Sequence, residues 1–332
     1  MLNDKTILVT GGTGSFGKKF AQRVFEKYQP KKLIVYSRDE YKQFLVRQQL
    51  AGLKERLRFF IGDVRDKERL YRAFHGVDYV VHAAALKQIP SCEYNPFEAV
   101  KTNIYGAQNI VDAAIDCGVR RVVALSTDKA VNPINLYGAT KLAADKIFIA
   151  ANAYAGAQDT VFSIVRYGNV AGSRGSVIPF FKMLLDSGQG ELPITDRKMT
   201  RFWITLDQAV DLVFKALQES KGGETYISRI PSFRIVDLAA AMSPKVNLKD
   251  VGIREGEKLH EIMITEYDSF STYEYPDHYI IYPNSPEWWT EQRLTPGGKK
   301  VPQYFRYSSD ENPEWLTVED IRHRLDELEL VL

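Results

Sequence analysis

Tyr137-Gly138-Ala139-Thr140-Lys141 places a tyrosine and a lysine four residues apart. On a helix the two side chains share one face. A phenol of ordinary pKa near ~10 is a poor base at neutral pH, and a neighbouring ammonium favours its ionised form. Such a pair can take a proton from an alcohol while a hydride leaves the same carbon for a nicotinamide. A solvated helix face gives the same spacing, so the context upstream matters. There, Leu125-Ser126-Thr127 closes an apolar run and Asp128-Lys129 follows. Thr127 is a small hydroxyl suited to bonding a substrate hydroxyl. Asp128 can protonate a departing hydroxyl, and Lys129 can remove a proton from a carbon acidified by an adjacent ketone. Acid and base together exceed what an alcohol dehydrogenase or epimerase needs. The spacing alone also allows a surface Asp-Lys in a loop.

A second cluster lies near the start. Gly11-Gly12-Thr13-Gly14-Ser15-Phe16-Gly17 follows the apolar run Thr6–Thr10 and opens an amphipathic stretch. Glycines at 11, 14 and 17 permit a tight turn and a close approach of backbone N–H groups to a pyrophosphate, with a helix N-terminus behind them. Strand, turn and helix in that order are the context that gives a glycine-rich turn meaning. At the tip of the next strand, Ser37-Arg38-Asp39 offers a hydroxyl and a guanidinium suited to a 2′-phosphate, and hence to NADP. A surface Ser-Arg opening a helix is the competing reading, and Asp39 would instead favour the bare ribose of NAD. Asp63-Val64 and Ala83-Ala84-Ala85 follow the third and fourth strand-like runs, where ligands of open α/β sheets bind.

These residues need a scaffold, and the pattern supplies one. Strands are expected at Thr6–Thr10, Lys32–Ser37, Leu57–Ile61, Tyr79–His82, Arg121–Ser126 and Val161–Tyr167. Helices are expected at Phe16–Tyr28, Asp39–Leu50, Lys67–Phe74, Pro96–Cys117 and Tyr137–Tyr154. The alternation predicts an α/β fold, a Rossmann-type doubly wound parallel sheet, whose nearly all-apolar strands are covered on both faces. Residues 1–167 read as an NADP-binding domain to which later segments return. Residues 168–332 read as a smaller, discontinuous substrate-binding region with a C-terminal extension. Helices are expected there at Leu206–Glu219 and Ile235–Met242. The stretch 269–312 has little periodicity but too many aromatics for disorder.

Forty-four Lys and Arg against 42 Asp and Glu leave a net charge of +2, with no general pull toward nucleic acid. Two cysteines show no metal-type spacing and cannot make a disulfide framework, so a reducing compartment and no metal are expected. No apolar run is long enough for a bilayer, so a cytoplasmic protein with no membrane partner is the expectation. Arg166, Arg174, Arg201 and Arg254 could serve a diphosphate. His82 and His260 read as packed or capping histidines, and Trp288, Trp289 and Trp315 as packing for the extension.

The chain resembles the extended short-chain dehydrogenase/reductase superfamily. More narrowly, it resembles the inverting UDP-N-acetylglucosamine 4,6-dehydratases that begin pseudaminic acid synthesis. The resemblance runs from residue 5 to about 265 through Ile7–Gly17, Tyr36–Lys42, Phe59–Asp66, His82–Lys87, Glu93–Pro96, Leu125–Lys141, Arg166–Pro179, Leu192–Ile204 and Gly252–Glu261, and Lys299–Pro313 is similar to the family's tail. Retaining sugar-nucleotide dehydratases usually carry Asp-Glu after the threonine, and Asp128-Lys129 is similar to the inverting group. The resemblance implies Lys129 as base at C5, Asp128 assisting loss of the C6 hydroxyl, and Tyr137 with Lys141 and Thr127 acting at C4. It implies cofactor contacts from Thr13, Ser15, Phe16, Ser37 through Glu40, Tyr41 and Lys42, and Val170. Lys87, Asn169, Thr195, Met199, Arg254 and Glu257 would surround the UDP-sugar. Gln88-Ile89 departs from the family's usual His-Val, and Tyr267–Leu294 departs more freely. A homo-oligomer built on dimers, up to a hexamer, is also implied. A retaining dehydratase, a C4 epimerase and a non-catalytic NADP-binding sensor are the rival readings.

Overall fold

The computed structural model describes residues 1–53, 55–155, 159–173, 175–285 and 289–328. Its N-terminal part alternates β1 (Thr6–Thr10), α1 (Ser15–Lys27), β2 (Lys32–Ser37), α2 (Glu40–Gln49), β3 (Leu57–Ile61), α3 (Lys67–Phe74) and β4 (Tyr79–His82). Then come α4 (Ile89–Tyr94), α5 (Pro96–Ala99), α6 (Gly106–Asp116), β5 (Arg121–Thr127), α7 (Leu136–Tyr154) and β6 (Val161–Tyr167). The strands pair in parallel in the order β6-β5-β4-β1-β2-β3. Successive side chains on a strand point to opposite faces, so each strand feeds two cores. Ile7 and Val9 join Phe20, Val24, Val210 and Phe214 on one face. Leu8 joins Leu70, Phe74, Ile110 and Phe148 on the other.

The helix expected across Pro96–Cys117 is interrupted. Val100–Tyr105 winds as a π-helix between α5 and α6. The wider turn precedes Gly106, where a Cβ would lie 2.8 Å from the Val64 side chain, so α6 packs closer there than a larger residue permits.

The remainder runs α8 (Val177–Asp186), β7 (Glu191–Ile194), β8 (Thr200–Phe202), α9 (Leu206–Glu219), β9 (Thr225–Ser228), β10 (Ser232–Arg234), α10 (Ile235–Met242), β11 (Asn247–Asp250) and β12 (Ile262–Ile264). β13 (Thr272–Glu274), β14 (His278–Ile281), β15 (Lys299–Lys300), β16 (Tyr307–Ser308) and α11 (Val318–Asp326) follow. A capping box between Thr205 and Gln208 starts α9, whose apolar stripe packs beside α1 under the main sheet. β9 extends that sheet in parallel from β6. The aromatic stretch without clear periodicity then adds β14, β13 and β15 as antiparallel strands, making ten strands among the described residues. The parallel sheet expected from sequence is thus present and is extended at one edge by antiparallel strands that were not expected. These added strands are only two to four residues long, too short for a period to show.

A separate core joins α8, α10 and α11 through Ile178, Phe181, Leu192, Trp203, Leu238 and Ile321. No described helix is long and apolar enough to cross a membrane.

Candidate active site

A single cavity of about 1130 Å³ runs from the glycine-rich turn across the ends of β1, β2, β4 and β5 to α8 and the loop 254–258. At one end Gly11 has φ +63°, and a Cβ there would lie 2.8 Å from the Ala83 carbonyl oxygen. Gly17 packs α1 directly onto the turn, where a Cβ would stand 2.4 Å from Gly12 Cα. Gly14 caps α1 without any side-chain acceptor, leaving the helix N-terminus facing the cavity. Thr13, Ser15, Phe16, Ser37, Arg38, Asp39, Lys42, Asp63, Val64, Ala83 and Val170 all line this end. The carboxylate of Asp39 is occupied: it accepts from Lys42 N at 2.9 Å, capping α2, and sits 3.1 Å from Lys42 Nζ. Arg38 is more than half exposed and reaches Asp63 only at 3.5 Å. Glu40 and Tyr41, implied as cofactor contacts, lie off the cavity wall. They sit in the first turn of α2, exposed, and the Tyr41 ring stacks on Phe44.

In the middle of the cavity, Thr127 ends β5 and the chain turns tightly through Asp128–Ala130. Lys129 points inward, its Nζ lying 3.0 Å from Asp128 Oδ1, 3.0 Å from Asn169 Oδ1 and 3.4 Å from Glu261 Oε1. Thr127 Oγ1 donates to Asp128 Oδ1 at 2.8 Å, while Asp128 Oδ2 is buried without a partner. Tyr137, Lys129, Lys141 and Thr127 line the cavity; Asp128 lies just behind them. Gly138 makes this closeness feasible, because a Cβ there would fall 2.1 Å from the Lys129 carbonyl oxygen. Asn135 caps α7 by accepting from Gly138 N, and its amide donates to the Gly256 carbonyl, tying α7 to the 254–258 loop.

The electrostatics differ from the sequence expectation in one respect. Burial pushes the Tyr137 phenol up to about 12, against the opposing pull of the Lys129 charge and a hydrogen bond with Thr127. Lys141 is tied to the backbone beside it. Its ammonium donates to the Leu125 carbonyl at 2.7 Å, and burial pulls its own pKa down. Burial also works against the charge on Lys129, yet Asp128 and Glu261 hold its pKa well above the ordinary lysine range. Asp128 is displaced upward by burial and by the Glu261 charge.

At the far end, Lys87, Asn169, Thr195, Met199, Arg201, Arg254 and Glu257 all line the cavity. Thr195 Oγ1 donates to Glu257 Oε2 at 3.1 Å. The arginines expected to serve a diphosphate divide. Arg254 faces the cavity. Arg201 also does, but its guanidinium is engaged by Glu257, Glu261 and the carbonyls of Thr200 and Leu259. Arg166 is buried behind the site, donating to the Met263 carbonyl beside Asp145 and Asp268. Arg174 and Trp288 lie outside the described residues.

His82 is a core residue sharing a hydrogen bond with Thr10 Oγ1, pushed down to about 3 by burial and so neutral. His260 pairs with Thr200 Oγ1. Trp289 packs on Tyr282, and Trp315 lies under Arg234.

Sequence reasoning missed Glu261, Lys258, Asn135 and Gly138. Glu261 and Lys258 fall in a stretch without periodicity, so only their burial reveals them. Gly138 sits inside the Tyr-x-x-x-Lys run, and a glycine in a helix interior is a signal in itself.

The sequence profile of a family described as polysaccharide biosynthesis protein matches residues 7–283. The chain is 53% identical over 328 residues to a UDP-N-acetylglucosamine 4,6-dehydratase (inverting) of Campylobacter jejuni, covering 97% of both. It is 40% identical over 332 residues to a protein of Rickettsia canadensis named UDP-glucose 4-epimerase, covering 98% of this chain and 96% of the other. Among solved structures, Pen from Bacillus thuringiensis shares 37% identity and a TM-score of 0.91 over the whole of both chains. A dTDP-glucose 4,6-dehydratase, DesIV from Streptomyces venezuelae, solved with NAD and TYD bound, shares 26% identity and a TM-score of 0.67. That match covers 76% of this chain and 86% of the other.

Proposed function

Because the chain belongs to the polysaccharide biosynthesis protein family, we propose that it is a UDP-N-acetylglucosamine 4,6-dehydratase that inverts C5. One observation carries this reading. A lysine held by Asp128, Asn169 and Glu261 faces the same cavity as Tyr137 and Lys141. The glycine turn, uncapped α1 N-terminus and small Ala83–Ala85 segment fit a dinucleotide, and Ser37, Arg38 and Lys42 fit a 2′-phosphate, since Asp39 is spent on capping. When bound, a nicotinamide dinucleotide supplies the oxidant for C4 and returns the same reducing equivalent to C6. NADP is the form this reading favours.

The chain's own residues handle the protons. Tyr137 takes the proton from the C4 hydroxyl, with Thr127 bonding that hydroxyl and Lys141 fixed beneath it by Leu125. The burial that raises the phenol makes it a strong base once ionised. The ketone then acidifies C5, Lys129 takes the C5 proton, and Asp128 gives a proton to the departing C6 oxygen. Lys87, Asn169, Thr195, Met199, Arg201, Arg254 and Glu257 hold the UDP-sugar.

The product would be a UDP-2-acetamido-2,6-dideoxy-4-keto hexose of inverted C5 configuration. In this reading it is the first intermediate of pseudaminic acid synthesis, made by a cytoplasmic homo-oligomer.

Incubation of the pure protein with UDP-N-acetylglucosamine, followed by NMR, tests the reading. A 4-keto, 6-deoxy product with inverted C5 is expected. The Rickettsia relative's name supports a second reading, C4 epimerisation, which keeps the C6 oxygen and gives no 6-deoxy signal. That outcome would replace the first reading.

A further inference from the structure

Glu261 has no part in the steps above, yet it is only 2% exposed and its carboxylate faces the elimination machinery. Oε1 lies 3.4 Å from Lys129 Nζ and 3.4 Å from Arg201 Nε, and Oε2 is buried without a partner. Across the ammonium, Asp128 mirrors it, with Oδ1 held and Oδ2 buried and unpartnered. Two buried carboxylates around one amine cannot both stay ionised cheaply once that amine is neutral. Yet Lys129 must be neutral to accept the C5 proton. Of the two acids, Glu261 is the one with a second fixed cation, Arg201 from β8.

We propose that Glu261 is a positioning residue for this reaction. Its ionised carboxylate, clamped between Arg201 and Lys129, fixes how many protons the Asp128–Lys129 pair holds. The inference rests on the dehydratase reading. In the elimination the C5–H bond breaks, its electron pair forms C5=C6, the C6–O bond breaks, and water leaves. The pair rests as ammonium and carboxylate; its one proton passes from Lys129 Nζ to Asp128 Oδ1 to give the neutral amine and carboxylic acid that the elimination uses, and the elimination leaves carboxylate and ammonium again. The pair holds one proton throughout, and the 3.0 Å bond between Lys129 Nζ and Asp128 Oδ1 returns that proton for the next turnover. The proton that O4 releases balances the one C5 gains from the opposite face.

The other ionisable and charged groups around Glu261 are few. Lys258 and Glu257 lie on its own segment, and His260 is bonded to Thr200. Tyr137 on α7 faces Lys129 and Asp128, and Lys87 acts on Lys129 from beyond β4. The Ser309 hydroxyl holds the Glu261 backbone N–H at 2.9 Å, with Asp310 next to it. Among these, Glu261 supplies the buried negative charge that contacts Lys129 besides Asp128.

The test is kcat against pH for the wild type, Glu261→Gln and Glu261→Asp, with KM for UDP-N-acetylglucosamine measured alongside. The two limbs of the profile belong to the coupled pair rather than to either residue. Loss of the Glu261 charge makes both protons easier to remove. Both limbs should therefore move to lower pH by about one unit or more in Glu261→Gln. KM should change little, and Glu261→Asp should bring the limbs back toward the wild-type position. A folded Glu261→Gln enzyme whose limbs coincide with the wild type, whatever its rate, would overturn the proposal. Should that variant fail to fold, the wild type decides: its low-pH limb should lie above the ordinary aspartate value near ~4, and a limb at or below it overturns the proposal. Absence of any 4-keto product from the wild type would instead sink the functional reading, a separate outcome.

Discussion

At the dinucleotide end of the cavity, most of the wall between Gly11 and Ala85 sits at the carboxyl ends of four neighbouring strands, β1 to β4. At the sugar end, Lys129, Asn169, Thr195, Arg201, Arg254 and Glu261 come from separate segments, held together by side-chain bonds rather than by a sheet. The first end is a backbone device, in which glycines shape a turn and a helix N-terminus faces the ligand. The second is a network of charges whose members restrain one another. A backbone device tolerates losing one side chain, whereas a buried network leaves an uncompensated charge when one member goes.

The sharpest way to separate the two ends is Lys129→Ala. Dehydration should fall by roughly 10²–10⁴-fold while slow cofactor reduction and dinucleotide affinity persist. NMR of the product and a fluorescence titration with NADPH would show this, and normal product formation would contradict the base assignment. Next, Arg38→Ala should weaken NADP binding by about 1.5–3 kcal/mol, with NAD affinity unchanged, as charge-assisted bonds are lost. Equal losses for both dinucleotides would refute the 2′-phosphate role.

Gly17→Ala probes the backbone itself. Its Cβ would meet Gly12 Cα at 2.4 Å, so thermal unfolding should report a loss of about 1–3 kcal/mol together with weaker dinucleotide binding. The smallest effect is expected from Ser309→Ala, which removes the acceptor for Glu261 N–H and the partner of Thr200 Oγ1. It should cost about 1 kcal/mol and raise KM for the UDP-sugar without touching NADP affinity. A change in dinucleotide affinity there would mean that the two ends are coupled.

The same contrast explains what the sequence disclosed. The bounds of β1 to β4 and β6 agree with the expected runs, because buried parallel strands are short, apolar and separated by turn residues. Tyr137 and Lys141 were legible in their four-residue spacing, whereas Asp128-Lys129 stood apart from a surface pair only through the family resemblance. Glu40 and Tyr41 were not separable from Arg38 and Lys42 by position in the chain; only the turn of α2 points them away. Arg166 looked like its neighbours until its burial beside Asp145 was seen. Glu261 depends on contacts with Lys129, 132 residues earlier, and with Ser309, 48 residues later. No window of sequence contains that information. The antiparallel strands β13 to β15 were hidden for a similar reason, since what makes them strands is the edge offered by β9.

Ser309, which holds both Thr200 and Glu261, carries a consequence for how the molecule comes into being on the ribosome. The dinucleotide cradle is complete once α9, which covers one face of its sheet, has emerged at about residue 219, whereas the sugar end lacks its clasp until residue 309 follows. At translation speeds of roughly 5–20 residues per second, that gap lasts about 4–18 s. A nascent chain would therefore pass through an interval in which the dinucleotide end is assembled while the charge network of the other end still lacks its Ser309 tie.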